Sequence, residues 1–324
     1  MISSAFDINQ ITRLLRSVFP GRPVGEIVPL TGGLININLK ITFESGEAPV
    51  VLRVYRRDPT VCRQEVEVLR LLRQTVPVPE LIHSAPDGID GSGPFSILGF
   101  VEGLTFQQLK RTNNLDAIHQ AAASVGETLA AIGRFKFEKP GRLVVTTDQR
   151  VSVGVPYIEG PDPIPRILDS FLTSDDLRRR VSDSLVEELH AFIWKWATLL
   201  PDLSNDSFLV HSDFGNRNIL VKEVDGKWKV AAVLDWEFAF SGSPLLDVGH
   251  FLRYEKVSAP LREPFFSRAF VENGGSLPDN WRNASRVIDL TALVELLTHP
   301  YLPDDVASEI LELIHATLNE CQPS

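Results

Sequence analysis

The chemistry-bearing residues of this chain concentrate in one stretch, Phe208-Leu209-Val210-His211-Ser212-Asp213-Phe214-Gly215-Asn216-Arg217-Asn218-Ile219-Leu220-Val221, and in Val230-Ala231-Ala232-Val233-Leu234-Asp235-Trp236-Glu237 just beyond it. Asn218 opens an apolar, β-prone run and Asp235 ends another. Asp225-Gly226 lies between the two runs and is a strong hairpin signal, because both central positions of a tight hairpin turn need positive φ. Folding about that turn sets Asn218 and Asp235 opposite one another to within a residue or two. An amide oxygen and a carboxylate at the open end of a hairpin form a donor set suited to Mg²⁺. Asp213 lies just before, on the loop that feeds the first strand, so three oxygen-bearing side chains are expected to converge from one short segment.

The elements that must position them are read from hydrophobic periodicity. Ile8, Ile11, Leu14, Leu15, Val18 and Phe19 fall at helical spacing, with Asp7 as N-cap. Short β-type runs follow at Ile27–Leu30, Asn38–Phe43 and Val50–Tyr55, with a Ser45-Gly46 turn signal between the last two. A helix is predicted from about Thr60 to Leu72, closed by Pro77 and Pro79. Phe95 to Val101 is a further apolar run, ending at Glu102-Gly103. The pattern then turns mostly helical. One stripe is Ile118, Ala122, Val125, Leu129 and Ile132; a second is Val186, Leu189, Phe192, Ile193 and Trp196. Two more run through Leu290–Leu297 and Ile310–Leu318. These stripes read as core. The proline-rich Val151–Arg166 reads as a long surface excursion. The expected architecture is α+β, with a small β-rich lobe over residues 1–100 and a larger, mainly helical lobe over 101–324.

Composition narrows the class. The chain has 324 residues, with 32 basic and 42 acidic side chains, a formal net charge of −10 and a pI near 5.3. That length suggests about two domains at ~150 residues each. The 44% hydrophobic and 23% charged content is that of an ordinary globular protein. The acidic balance argues against a nucleic-acid binder, which needs a basic face. Two cysteines, Cys62 and Cys321, make neither a disulfide framework nor a cysteine-rich zinc site. The first residues carry no basic, apolar leader, and no segment approaches the ~18 apolar residues of a membrane span. The expectation is a soluble, cytoplasmic protein with no membrane or nucleic-acid partner.

The ordered set His-x-Asp, Asn218, and an aspartate after a hairpin resembles the catalytic and metal loops of the protein-kinase-like fold. His211-Ser212-Asp213, then Asp235-Trp236-Glu237, then Gly242-Ser243-Pro244-Leu245-Leu246-Asp247 resemble the aminoglycoside phosphotransferase branch, which includes choline kinase-like and other small-molecule kinases. After the hairpin, where protein kinases proper carry Asp-Phe-Gly, this chain has Asp235-Trp236-Glu237, and Ala-Pro-Glu is absent. The resemblance implies a bilobal fold and transfer of the γ-phosphoryl of ATP or GTP to a hydroxyl of a small molecule. It implies that Asp213 orients that hydroxyl and accepts its proton, and that Asn218 and Asp235 hold Mg²⁺. It gives His211 and Asp247 the task of bracing the catalytic loop.

In that fold a basic residue on the third strand grips the phosphates and a helix carboxylate steadies it. Arg53 occupies the strand position, where protein kinases carry lysine. At ~100° per residue, Val61, Val68, Leu69 and Leu72 define one helix face. Glu65 falls in its middle and Glu67 opposite, so Glu65 is the expected partner of Arg53. Thr31-Gly32-Gly33-Leu34-Ile35-Asn36 matches the phosphate-covering turn, although two glycines alone fit an ordinary hairpin turn nearly as well. The run through Gly99, Phe100 and Val101 resembles the linker whose backbone binds the purine. Glu237, Glu255, Asp289 and Glu295 would suit a cationic acceptor; each singly also reads as a solvated acid. Two other readings stand beside the kinase: a nucleotide-binding pseudokinase, and a metal-dependent hydrolase built on His211, Asp213 and Asp235. The other histidines, at 83, 119, 190, 250, 299 and 315, show no zinc spacing.

Overall fold

A computed structural model describes residues 8–30, 36–56, 59–89, 91–156, 163–200, 203, 206–256 and 261–321. In chain order the elements begin with α1 (Ile8–Val18), β1 (Val24–Pro29), β2 (Ile37–Phe43), β3 (Val50–Val54), α2 (Pro59–Leu72), β4 (Leu81–Ala85) and β5 (Phe95–Gly99). Next come β6 (Leu104–Thr105), α3 (Phe106–Arg111), α4 (Leu115–Ile132), β7 (Gly141–Val145), β8 (Val151–Val153), α5 (Pro163–Leu172), α6 (Asp175–Arg178) and α7 (Asp183–Trp196). Then follow β9 (Phe208–Val210), β10 (Ile219–Val224), β11 (Lys227–Val233), a single 3₁₀ turn (Trp236–Phe238) and β12 (Phe240–Gly242). The chain closes with α8 (Leu245–Leu252), α9 (Glu263–Glu272), α10 (Trp281–Leu297) and α11 (Asp304–Glu320). The N-cap expected at Asp7 lies outside the described residues.

The chain divides into two compact units. The first comprises residues 1–117, 144–152 and 216–238. Its main sheet is antiparallel with strand order β1-β2-β3-β5-β4. Alternation along β3 sorts its side chains: Val50, Leu52 and Val54 join Ile11, Leu15, Leu39, Ile41 and Ile97 in one core. Arg53 therefore takes the opposite face, as period-2 geometry requires. Tyr55, two residues on, packs there with Cys62 and Val66 of α2. A second sheet in this unit has the order β11-β10-β6. Asp225 (φ 51°) and Gly226 (φ 74°) both adopt the left-handed region that the β10–β11 turn demands.

The second unit comprises residues 118–143, 153–215 and 239–324. Its apolar core is built from α5, α7, α10 and α11, through Leu168, Leu189, Ile193, Leu290, Leu293, Ile310 and Ile314. The stripes over 186–196, 290–297 and 310–318 thus meet in one core. Here β12 pairs antiparallel with both β7 and β9. The expected surface excursion over 151–166 needs correction: β8 occupies Val151–Val153 and α5 starts at Pro163. Proline at the first position of a helix costs no hydrogen bond, so Pro163 opens α5 and interrupts nothing.

Helices α8 and α10 approach closely at Gly249, where a Cβ would stand 2.4 Å from the Ser285 carbonyl oxygen and 2.9 Å from Asp289 Cβ. The same contact carries an ion pair. Both Asp289 oxygens accept from Arg253, at 2.8 and 2.6 Å. His250 Nε2 lies 3.6 Å from Asp289, while its Nδ1 sits 3.1 Å from the Leu246 carbonyl. Burial, aided by the Arg253 charge, holds His250 down at about 4, against the opposing pull of Asp289.

Two outcomes follow from this packing. Gly249→Ala is expected to lose about 1–3 kcal/mol by overpacking, read as a lower denaturant midpoint; an unchanged midpoint would show that the helices can part freely. His250 is neutral in the folded chain and takes up its proton more readily when unfolded. Its contribution is therefore full above pH 6.5 and is lost as pH falls toward 4. Between pH 7 and pH 5 it removes about 2 kcal/mol. His250→Gln is expected to show a correspondingly shallower fall in thermal midpoint over that range, and an unaltered slope counts against the assignment.

Candidate active site

Arg53 is 5% exposed and lies among three carboxylates of its own unit. Its Nε is 2.9 Å from Glu65 Oε2, its Nη2 pairs with Asp235 Oδ1, and Glu237 Oε2 stands 3.6 Å away. Burial by itself lowers the guanidinium pKa, but the charges of Glu65, Asp235 and Glu237 outweigh it, so Arg53 stays a cation. Glu65 accepts two hydrogen bonds, from the Tyr55 hydroxyl (2.6 Å) at one oxygen and from the Trp236 backbone N–H (3.1 Å) at the other, and it forms an ion pair with Arg53. Burial pushes the Glu65 carboxyl upward, and Arg53 with these donors opposes that. Tyr55 also meets Ser96 across β3 and β5, at 3.1 Å. Cross-strand register explains the meeting, since Arg53 is opposite Ser96.

The helical phase predicted Glu65 inward and Glu67 outward. The structure places Glu65 at 1% exposure against Arg53 and also buries Glu67, which pairs with Arg70 one turn on. Helix α2 is covered on more than one side, so a single-stripe reading underestimates its burial.

At the open end of the β10–β11 hairpin, Leu234 N–H donates to the Asn218 carbonyl at 2.8 Å. A bulge between Leu220 and Val221 shifts the register by one residue, so that Asn218 faces Leu234, next to Asp235. Asp235 itself adopts φ 70°, a strained conformation for a residue with a side chain. The segment Asp235-Trp236-Glu237 is tied at each residue: Asp235 to Arg53, Trp236 N–H to Glu65, and Glu237 Oε2 to Asn36 Nδ2 at 2.6 Å. Three carboxylates face one guanidinium, and burial with the nearby Asp235 charge pushes the Glu237 carboxyl up to about 7, against Arg53 and Asn36. The side chain of Asp235 is the most exposed of the three acids, at 26%. That imbalance beside Asn218 fits a divalent cation held by few protein oxygens, the usual pattern for Mg²⁺. Among the described residues no set of three or more His, Cys, Asp or Glu forms a complete metal cage.

Gly32 and Gly33 lie outside the described residues; Asn36 is the first described residue after them. In the linker, Gly99 N–H donates to the Glu80 carbonyl and Phe100 N–H to the Pro49 carbonyl. Among the described residues the Val101 N–H has no partner.

In the second unit the loop after β9 is built around Asp247 of α8. Its two oxygens accept the backbone N–H groups of His211 (2.8 Å) and Ser212 (2.9 Å). Asp213 N–H donates to His211 Nδ1 at 3.1 Å. This bond fixes the proton of the neutral imidazole on Nε2. Ser212 takes φ 73°, and His211 and Asp247 are fully buried. Burial, with some help from Asp213, pushes the Asp247 carboxyl up to about 7, against the two N–H donors.

The four acids considered for a cationic acceptor are mostly committed elsewhere. Glu237 belongs to the Arg53 cluster. Glu255 accepts Arg262 Nε and the Arg262 N–H, each at 2.6 Å, as well as the Leu261 N–H. Asp289 is held by Arg253. Of the four, Glu295 alone is exposed. Tyr55 went unnoticed in the sequence, though its position two residues beyond Arg53 on one strand is a readable signal. The link between Asn36 and Glu237 had none, because 201 residues separate them.

The cluster is asymmetric under mutation. Arg53→Met leaves three acids facing one another without a cation and is expected to cost about 3–5 kcal/mol. Glu65→Gln keeps the arginine paired with Asp235 and should cost clearly less. Denaturant unfolding of both variants checks the order, and the reverse order would contradict the charge balance described.

Comparison with known proteins places this geometry. A wild-type aminoglycoside 2'-phosphotransferase-IIIa solved with GDP superposes with a TM-score of 0.71 over 97% of this chain and 99% of that one, at 18% identity. An aminoglycoside phosphotransferase APH(4)-Ia variant in complex with ADP and hygromycin B gives 0.66 over 97% and 99%, at 21% identity. These likenesses establish a kinase-like fold of the α+β class. A curated relative, acyl-CoA dehydrogenase family member 11 of Gallus gallus, is 25% identical over 257 residues, 76% of this chain. The match spans only 30% of that relative's length. The model of the phosphotransferase enzyme family, APH, matches residues 26–285, and the chain belongs to that family.

Proposed function

We propose that the chain is a small-molecule kinase that moves the γ-phosphoryl of a nucleoside triphosphate, ATP or GTP, onto a hydroxyl. The observation that carries this reading is the Arg53 cluster at the mouth of the β10–β11 hairpin, where three carboxylates face one guanidinium beside Asn218. Asn218 and Asp235 would hold Mg²⁺, which supplies charge neutralisation on the triphosphate when bound. Arg53, steadied by Glu65, offers a fixed cation to the phosphate oxygens. Arginine there brings a planar fork in place of a compact ammonium. Val101, whose N–H is unspent, is the linker donor best suited to a purine ring nitrogen; Gly99 and Phe100 have spent theirs.

Asp213 takes the acceptor's proton. The acceptor oxygen forms the new bond to the γ-phosphorus as the bond to the β–γ bridging oxygen breaks. That electron pair leaves with the nucleoside diphosphate, and the hydroxyl proton passes to the Asp213 carboxylate. Positioning and charge neutralisation do most of the catalysis in such a transfer. The loop that carries Asp213 is pinned at His211 and Ser212 by Asp247, which limits its movement during the step.

The acceptor is a small hydroxyl compound. With Glu237, Glu255 and Asp289 committed internally, a polyamine acceptor has little acidic surface left from that set. The test is a phosphate-transfer screen with ATP and GTP over aminoglycosides, amino alcohols, sugars and hydroxyl-bearing acyl thioesters. The last arm is chosen because one relative is named for acyl-CoA. Once an acceptor is found, Asp213→Ala is expected to lose at least ~100-fold in turnover while still binding nucleotide. Asp235→Ala is expected to lose Mg-nucleotide binding as well. Wild-type turnover by Asp213→Ala sinks the assignment; nucleotide binding with no transfer to any acceptor favours the pseudokinase reading.

A further inference from the structure

Glu237 stands two residues beyond Asp235, yet its contacts reach in three directions. Its Oε2 accepts Asn36 Nδ2 at 2.6 Å and faces Arg53 Nη2 at 3.6 Å, and its backbone carbonyl accepts Gln64 Nε2 of α2 at 3.3 Å. Glu237 and Asn36 are each 8% exposed, so their hydrogen bond is sheltered from water. Asn36 immediately precedes β2, whose next residues pair with β3: Ile37 with Val54 and Asn38 with Arg53. It also closes the Thr31–Asn36 segment that matches a phosphate-covering turn in sequence. A strand that begins at a buried, fastened residue has one end fixed in space. A hydrogen bond sheltered from water in this way is electrostatically stronger than an exposed one.

We propose that Glu237 is a positioning residue for the phosphate grip: through Asn36 it fastens the start of β2, which pairs beside Arg53, to the same three-residue stretch that presents Asp235. The proposal rests on the nucleotide-binding reading above and adds a residue and a route to it. Its ligand class is the triphosphate moiety of a nucleotide. Glu237 acts there through Asn36 and Arg53, and the tie does its work before any acceptor arrives.

The test is a double-variant cycle read by equilibrium binding of a fluorescent nucleotide triphosphate with Mg²⁺, together with thermal midpoints in its absence. Glu237→Ala and Asn36→Ala are each expected to weaken binding roughly tenfold. The double variant should be no weaker than either single one, since both break the same tie. Glu237→Gln, whose amide oxygen still accepts from Asn36, should bind within about threefold of wild type. Asn36→Asp, which sets two acids face to face, should be the weakest single variant. Additive losses in the double variant overturn the proposal. So does a Glu237→Gln variant as weak as Glu237→Ala, because that result marks the charge itself, acting on the metal, as what matters. Thermal coupling between the two positions with nucleotide affinity unmoved reduces the tie to a structural one and overturns the proposal alone. Failure of the wild-type chain to bind the nucleotide overturns the kinase reading along with it.

Discussion

The first unit depends on one buried guanidinium. Taking Arg53 out of water is costly unless its charge is answered and its N–H groups are accepted. Glu65, Asp235 and Glu237 answer it from α2 and from the segment after β11. The same interaction therefore locks a strand, a helix and the end of a hairpin together, although these come from distant parts of the chain. Because the acids outnumber the cation, the cluster is also incomplete in charge. One cluster thus has two consequences: it joins the strand, the helix and the hairpin's end, and it leaves more acid than base there.

The second unit solves a different problem with a single carboxylate. Asp247 is fully buried, and its natural partners are the backbone N–H groups of His211 and Ser212. Those two bonds hold Ser212 at positive φ, a conformation that costs of order 1–3 kcal/mol when unsupported. His211 then accepts the Asp213 N–H through Nδ1. Asp213 is thus held through its backbone N–H. The strain at Ser212 and at Asp235 sits in the two segments whose side chains the reaction would need.

Legibility in the sequence followed the range of the physics. The hairpin at Asp225-Gly226 was readable because the turn's φ requirement is local. The helical phase of Glu65 was readable for the same reason, and with the strand position that the family resemblance gives Arg53 it anticipated the meeting of the two. Strands β4, β6, β9 and β12 left no clear trace. Of these, β6, β9 and β12 span three residues or fewer and pair with strands far along the chain, so no local period marks them. The bulge between Leu220 and Val221 was equally silent, yet it decides which residue stands opposite Asn218.

The acids show the division most sharply. Glu237, Glu255 and Asp289 look alike in sequence, as carboxylates near a candidate site. Burial and partner decide between them: one joins the Arg53 cluster, one closes a loop onto Arg262, and one clamps α8 to α10 through Arg253. Residue type, spacing and local periodicity determined the family resemblance, the helices and the candidate site segment, because those depend on neighbours within a few residues. Only the tertiary structure decided which charges are spent on one another. Ion pairing in a low-dielectric interior depends on distance in space, and the sequence carries no measure of it.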